Sequence, residues 1–306
     1  MDRAPRLGTR GSPLALAQAR EVAAAIEAAQ GWPAGFVEVV PITTSGDRIK
    51  DRPLAEVGGK GLWTKELDSA LLAGDIDFAV HSAKDVEVVR PETIRLAAVR
   101  PRTHVVDVLV GAPSIDALRE GAVLGTSSPR RKAQLLAVRP DLTVVTLRGN
   151  VETRLRKLSE GEADATVLSS AGLHRLGLDE VGSPLPFEIM LPAPGQGAIA
   201  VECRAGDPEW AELLESINDR PSRHSVLAER AFARALGGSC HSPVAAMATA
   251  EGDEVRLTGE ILSEDGLARI RDEAVFAAGD EAAAAELALA MLDRAPDSIR
   301  RLFAPA

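Results

Sequence analysis

Residues 71–82 read LLAGDIDFAVHS, and residues 158–169 read LSEGEADATVLS. Aligned without a gap, they share Gly74/Gly161, Asp77/Asp164, Val80/Val167 and Ser82/Ser169. Upstream of each lies a second matching pair: Val39-Val40-Pro41-Ile42-Thr43 resembles Val144-Val145-Thr146-Leu147-Arg148. Further upstream, Gly8-Thr9-Arg10-Gly11-Ser12-Pro13 resembles Gly125-Thr126-Ser127-Ser128-Pro129. Three pairs in one order imply two similar domains, over about residues 1–100 and 103–192. Short β-branched runs at 37–40 and 143–147 read as strands, and the stretches at 14–29 and 62–72 read as helices. Such alternation argues for α/β layers with parallel strands.

The repeated Gly-Thr-x-x-Ser-Pro element has a local reading. A strand ends, Ser12 or Ser128 caps a helix, and Pro13 or Pro129 takes its first position. The amides of such a helix start attract anions. Arg10 stands before the first cap, and Arg130 and Arg131 follow the second. Each element alone also reads as an ordinary capped helix; two with arginine neighbours point to paired carboxylate or phosphate sites facing one cleft.

Composition narrows the classes. The chain has 306 residues, of which 45% are hydrophobic, and a formal charge of −10. The apolar content suits a large core and excludes wholesale disorder. An acidic chain with 3% aromatics and no tyrosine argues against a nucleic-acid partner. The charge is uneven, however. Residues 125–157 hold eight bases against two acids, and residues 251–306 hold six against thirteen. An anionic ligand at the basic stretch is one reading, and a solvated helix face the other. Two cysteines, Cys203 and Cys240, exclude a disulfide framework. No apolar run reaches the ~18 residues that span a bilayer. A cytoplasmic monomer without a membrane partner is the expectation.

Residues 182–197, rich in proline and glycine, read as a linker and turn. A third unit begins after residue 219. It is expected to hold a helix over 224–236, a strand over 254–258, further short runs at 261–262 and 269–270, and an alanine-rich helix over 281–292.

Several residues could carry chemistry. Residues 78–86, FAVHSAKDV, put Lys84 and Asp85 at the end of an apolar strand, where α/β proteins bind ligands. A turn with a surface ion pair is the alternative, and His81 reads as structural. Glycines around Lys60 suggest a mobile segment, but the spacing is not that of a nucleotide phosphate loop. Arg148, Asn150 as a helix cap, Arg154 and Arg175 would join Arg10, Arg130 and Arg131 around a ligand with several acidic groups. Cys203 lies in an apolar run and reads as a buried inert thiol, whereas Cys240 lies in a glycine-flanked loop and is approachable. No metal site is expected, because the histidines lack ligand spacing.

Taken together, the stretches at 7–19, 57–63, 81–86, 125–131, 148–155, 194–198 and 237–243 resemble the hydroxymethylbilane synthases, also called porphobilinogen deaminases. The resemblance implies two type II periplasmic-binding-protein-like domains and a smaller C-terminal α/β domain over 220–306. The first domain would also take in about residues 197–217. It further implies a dipyrromethane cofactor attached through Cys240, on which four porphobilinogen units are joined with loss of ammonia before water frees the product. Asp85 matches the catalytic aspartate. Ser12, Ser82, Lys84, Thr126, Ser128, Arg130, Arg131 and Arg154 would hold the cofactor. Arg10, Gln18, Arg148, Gly149, Asn150, Arg175 and Gln196 would hold the substrate, with Lys60 on a lid. The sequence departs from the family pattern at Trp63, at Glu87, at Ser239 and over Thr103-His104-Val105-Val106-Asp107. A non-catalytic two-lobed solute sensor is the rival reading; it would use the arginines but not Cys240.

Overall fold

The computed structural model describes residues 3–44, 63–237 and 242–303. Strands β1 (Arg6–Arg10), β2 (Glu38–Ile42), β3 (Phe78–Ser82) and β4 (Ile94–Val99) belong to a first sheet. A second holds β5 (Asp107–Val110), β6 (Val123–Gly125), β7 (Thr143–Val145), β8 (Ala165–Ser169) and β9 (Ser183–Pro184). The chain then returns to the first sheet as β10 (Ile199–Arg204). The two orders, β2-β1-β3-β10-β4 and β7-β6-β8-β5-β9, are the same arrangement used twice. Four strands run one way in each, and the fifth, β10 or β5, lies antiparallel beside β3 or β8. Two crossings, one before β5 and one before β10, join the halves.

The repeated letters do the same work in both sheets. Gly74 and Gly161 take left-handed φ angles of 78° and 79° and end the preceding helices, a conformation glycine adopts without steric cost. Asp77 Oδ2 accepts from Arg6 N at 2.8 Å, and Asp164 Oδ2 accepts from Val123 N at 2.6 Å. Each carboxylate thus satisfies the first amide of the neighbouring parallel strand. A β-carbon on Gly8 would fall 2.2 Å from Ile76, and one on Gly125 would fall 3.2 Å from Ala163, the residue in register with Ile76.

Helices cover the sheets. They are α1 (Pro13–Gln30), α2 (Lys65–Ala73), α3 (Pro129–Val138), α4 (Val151–Ser159), α5 (Ser170–Arg175) and α6 (Pro208–Glu215). A 3-10 turn (Ala83–Asp85) follows β3. Helix α1 buries Ala15, Ala19, Val22, Ala23 and Ile26, a stripe at helical spacing that packs with Leu7, Phe78 and Val201. The third unit is an antiparallel sheet of β11 (Val244–Glu251), β12 (Glu254–Leu262) and β13 (Arg269–Ala277). It packs with α7 (Arg220–Ala235), α8 (Glu281–Asp293) and the short α9 (Asp297–Arg300) around Phe232, Leu257, Ile261 and Met291. The fold is mixed α/β: two lobes of one shared topology and a separate C-terminal α/β domain.

Some local expectations shift. Ser183–Pro184, read as linker, is an edge strand on β5; an edge tolerates proline's missing donor. Residues 261–262 continue β12 rather than forming a separate run, and α7 begins at Arg220, with Asp219 as its cap. Among the described residues no helix is long and apolar enough to cross a membrane.

Candidate active site

The carboxyl ends of β1, β3, β6 and β8 carry Arg10, Ser82, Gly125 and Ser169, the end of a parallel sheet where ligands bind. Helices α1 and α3 start there. Ser12 Oγ accepts from Ala15 N at 3.3 Å and Ser128 Oγ from Arg131 N at 3.4 Å, so both serines serve as caps, with proline at the helix start. Thr126 is buried, and its hydroxyl accepts from Ser128 N at 3.1 Å. Gln18 Nε2 donates to Ser82 Oγ at 2.9 Å, joining α1 to the end of β3. Arg10 lies over the Trp63 ring at 3.9 Å, close enough for a cation–π contact.

A polar core links the two lobes. Lys84 Nζ donates to Gln196 Oε1 at 3.5 Å, and Gln196 Nε2 donates to Asp107 Oδ1 at 3.0 Å and to Val105 O at 2.8 Å. Asp107 is fully buried. Arg130 and Arg131 each donate to its carboxylate at 2.7 Å. Arg130 also donates to Leu191 O at 2.6 Å and Arg131 to Val167 O at 2.8 Å. Burial opposes the charge on Asp107, yet the two guanidinium groups, with Lys84, hold it well below the ordinary carboxylate range. Burial pushes Lys84 down to about 8, with Arg131 adding to the fall and Asp85 and Asp107 opposing it.

Asp85 is half-buried at the end of the 3-10 turn. Among the described residues no hydrogen bond or ion pair ties its carboxylate, while Lys84 and Arg154 both feel its field. Arg154 reaches it from α4. Asn150 caps that helix by accepting from Thr153 N at 2.9 Å, and Arg154 Nε donates to Gly149 O at 3.0 Å. Gly149 has a φ of 125° and approaches Thr153 closely, leaving no room for a β-carbon. Burial, Arg131 and Arg148 depress Arg154 to about 10, against the pull of Asp85. Lys84 and Arg154 thus lie near Asp85, with Arg131 and Arg148 close to Arg154. That excess of positive charge suits an anionic ligand.

Two predicted residues also make contacts within the protein. Arg175 donates to Glu21 Oε2 and to Gly197 O, both at 3.2 Å, so it braces α5 against α1 and the second crossing. Arg130 faces the interior of the second lobe rather than open space, being 4% exposed. Lys60, Ser239 and Cys240 lie outside the described residues. Cys203 is a buried free thiol that burial raises to about 11, consistent with an inert role.

Sequence reading missed the residues that join the units. Arg102, in the first crossing, donates to buried Glu229 of α7 at 2.6 Å and to Gln196 O at 2.8 Å. Glu229 also accepts from Gly195 N at 2.6 Å and Ala248 N at 2.7 Å. One carboxylate therefore holds both crossings and the third unit. Beneath β3, Arg90 pairs with Asp68 at 2.6 Å, Glu202 at 2.7 Å and Glu87 at 3.2 Å. His81 lies 3.4 Å from Glu202, and burial lowers its proton affinity. An acid inside the apolar run of β10, Glu202, was the only linear signal of that network.

Two similar α/β lobes with a cation-lined cleft between their strand ends define a ligand-binding architecture that carries an unneutralised carboxylate. Family models described as "Porphobilinogen deaminase, dipyromethane cofactor binding domain" and "Porphobilinogen deaminase, C-terminal domain" match residues 6–212 and 224–293. A porphobilinogen deaminase of Sphingopyxis alaskensis is 52% identical over 98% of this chain and 96% of its own length. One of Paracoccus denitrificans is 51% identical over 95% and 94%. The chain belongs to the porphobilinogen deaminase family. Among solved structures, the VFT2 domain of Bordetella pertussis BvgS overlaps 70% of this chain and 86% of its own at 17% identity, with a TM-score of 0.41.

Proposed function

We propose that Asp85 is the catalytic carboxylate of a hydroxymethylbilane synthase. The activity is the stepwise, deaminative, head-to-tail condensation of four porphobilinogen molecules on a dipyrromethane primer, followed by hydrolytic release of the linear tetrapyrrole. The observation that carries the assignment is the Asp85 carboxylate, tied by no hydrogen bond or ion pair among the described residues and set among Lys84 and Arg154 at the end of β3.

The donor set fits such a group. A pyrrole chain bears acetates and propionates, and Lys84, Arg131, Arg148 and Arg154 are the cations that meet them. Arg130 would also hold the cofactor and Arg175 the substrate, beside their contacts with Asp107 and with Glu21 and Gly197. Arg10, Gln18, Ser12, Ser82, Thr126, Ser128, Gly149, Asn150 and Gln196 complete the proposed lining. Cys240 would anchor the group, and Lys60 would sit on the lid. When bound, the dipyrromethane supplies the nucleophilic terminal pyrrole carbon to which each unit is joined. Loss of ammonia from the incoming unit leaves a cation conjugated with its pyrrole nitrogen. Asp85 offsets that charge in a partly desolvated site, where a carboxylate is worth more than in water. The ring proton released as the new carbon–carbon bond forms then has an acceptor in Asp85.

The domains proposed are 1–100 with about 197–217, then 103–192, then 220–306. The presence of β10 and α6 on the first sheet supports the first of these. A cytoplasmic monomer is proposed: the chain has no disulfide framework, and a single copy assembles the whole cluster around Asp85. No nucleic-acid partner is proposed.

Intact-mass spectrometry tests the anchor. The purified chain is expected to carry the added mass of two pyrrole rings, and Cys240→Ser to lack it. A bare parent chain, or an adduct that survives Cys240→Ser, would refute the assignment.

A further inference from the structure

A second polar cluster lies where the first crossing meets the second lobe. His104 belongs to that crossing, between β4 and β5. Its φ is 53°, the only positive value at a non-glycine position among the described residues. Such a backbone costs on the order of 1 kcal/mol or more and persists where the surroundings over-determine it. Here the segment is pinned from both sides: Ser170 Oγ donates to His104 O and to Val106 O, each at 2.8 Å. The effect is to hold the His104 ring flat against that of His174 on α5, with centroids 4.1 Å apart and planes 19° from parallel. His174 Nδ1 in turn lies 2.8 Å from Asp179 Oδ1.

We propose that His104, His174 and Asp179 form a binding site for one divalent transition-metal ion of the zinc, nickel or copper class, clamping the interlobe crossing to α5. One donor atom from each of the three lies within 4.8 Å of the others. Bonds of about 2.0–2.1 Å to nitrogen and oxygen need donors roughly 3–3.5 Å apart. The remaining closure requires the two imidazoles to turn out of their stack so that both in-plane lone pairs face the ion, and all three residues are exposed. Two imidazoles and one carboxylate match borderline metals rather than calcium or magnesium, which prefer all-oxygen shells. The contact between His174 and Asp179 supplies a carboxylate that can ligate directly or orient the ring. Water fills the other positions. Linear spacing concealed the cluster, because His104 and His174 come from different parts of the repeat and meet only through the crossing. A glycine at position 104 would follow the same path at lower cost.

The test is calorimetric titration of the full-length, cofactor-bearing chain with Zn2+ alone, beside His104→Gly, His174→Gln and Asp179→Asn. The His104→Gly variant suits the positive φ, so it should fold at least as well as the parent. The expected result is one ion per parent chain, with affinity at least about tenfold weaker in His104→Gly and His174→Gln, and an intermediate loss in Asp179→Asn. Substituting Co2+ should give ligand-field bands of a nitrogen and oxygen shell. Absence of saturable binding, unchanged affinity in His104→Gly, or a thiolate charge-transfer band with Co2+ would each overturn the proposal.

Discussion

Replacing Asp107 by asparagine is the most informative single change the structure offers. The substitution keeps the shape and removes the charge that two buried guanidinium groups share, with Arg130 and Arg131 both donating at 2.7 Å and Gln196 at 3.0 Å. Leaving buried cations without their partner costs about 3–5 kcal/mol, a large part of the 5–15 kcal/mol typical of a folded domain. All three tryptophans, Trp32, Trp63 and Trp210, lie on the first lobe, so fluorescence would report the wrong half. Hydrogen exchange of the β5 and β8 amides reads the second lobe directly. At 1.4 kcal/mol per decade, their slowest exchange should quicken by about a hundredfold or more. The difference also has a predicted pH dependence. The native carboxylate titrates well below its unfolded value, so its stabilisation is fully present above about pH 4 and is lost as pH falls through the native value. Parent and variant should therefore converge in acid. Exchange that quickens less than about fivefold, or a gap that stays constant down to pH 2, would refute the reasoning.

Other outcomes follow from the same geometry. Asp85→Asn should keep its fold and its covalent adduct yet lose nearly all turnover with porphobilinogen; near-normal product formation would remove Asp85 from its role. Lys84, lowered to about 8 by burial and then by Arg131, carries its charge below that pH and loses it above. KM for porphobilinogen should therefore rise between about pH 7 and 9, and Lys84→Met should flatten that rise. Because the native value lies below the unfolded 10.5, the stability of the cofactor-free protein should increase slightly from pH 8 upward, the opposite direction to the binding effect. Arg154→Leu should slow extension more than it alters stability, read by single-turnover assays against thermal unfolding.

The double fold could be read from the sequence because its repeated letters repeat a physical task. Asp77 and Asp164 each hold the first amide of a strand, and Gly74 and Gly161 each end a helix in the left-handed region. The serine–proline caps were legible for the same reason, being local. Asp107 was not, because its register partner across the repeat is Ile199: β5 and β10 meet β8 and β3 at Ser169 and Ser82. An acid opposite an aliphatic leaves no trace in an alignment of the two halves. Arg102 with Glu229, and Gln134 with Glu260 at 2.8 Å, join residues more than a hundred positions apart, and no periodicity announces such pairs. Separation in sequence likewise hid the contacts of Arg130 with Asp107 and of Arg175 with Glu21 and Gly197.

The placement of β10 sets the timing of synthesis. It lies fourth in a sheet otherwise built from residues 6–99, between β3 and β4. Until it leaves the ribosome, those neighbours face a vacant slot, and β4 has no hydrogen-bonding neighbour in its sheet. At roughly 5–20 residues per second, the hundred positions from Val99 to Ile199 take on the order of 5–20 s to emerge. By the end of that interval all five strands of the second lobe have been made, so it can close first, and the nascent chain finishes its beginning last.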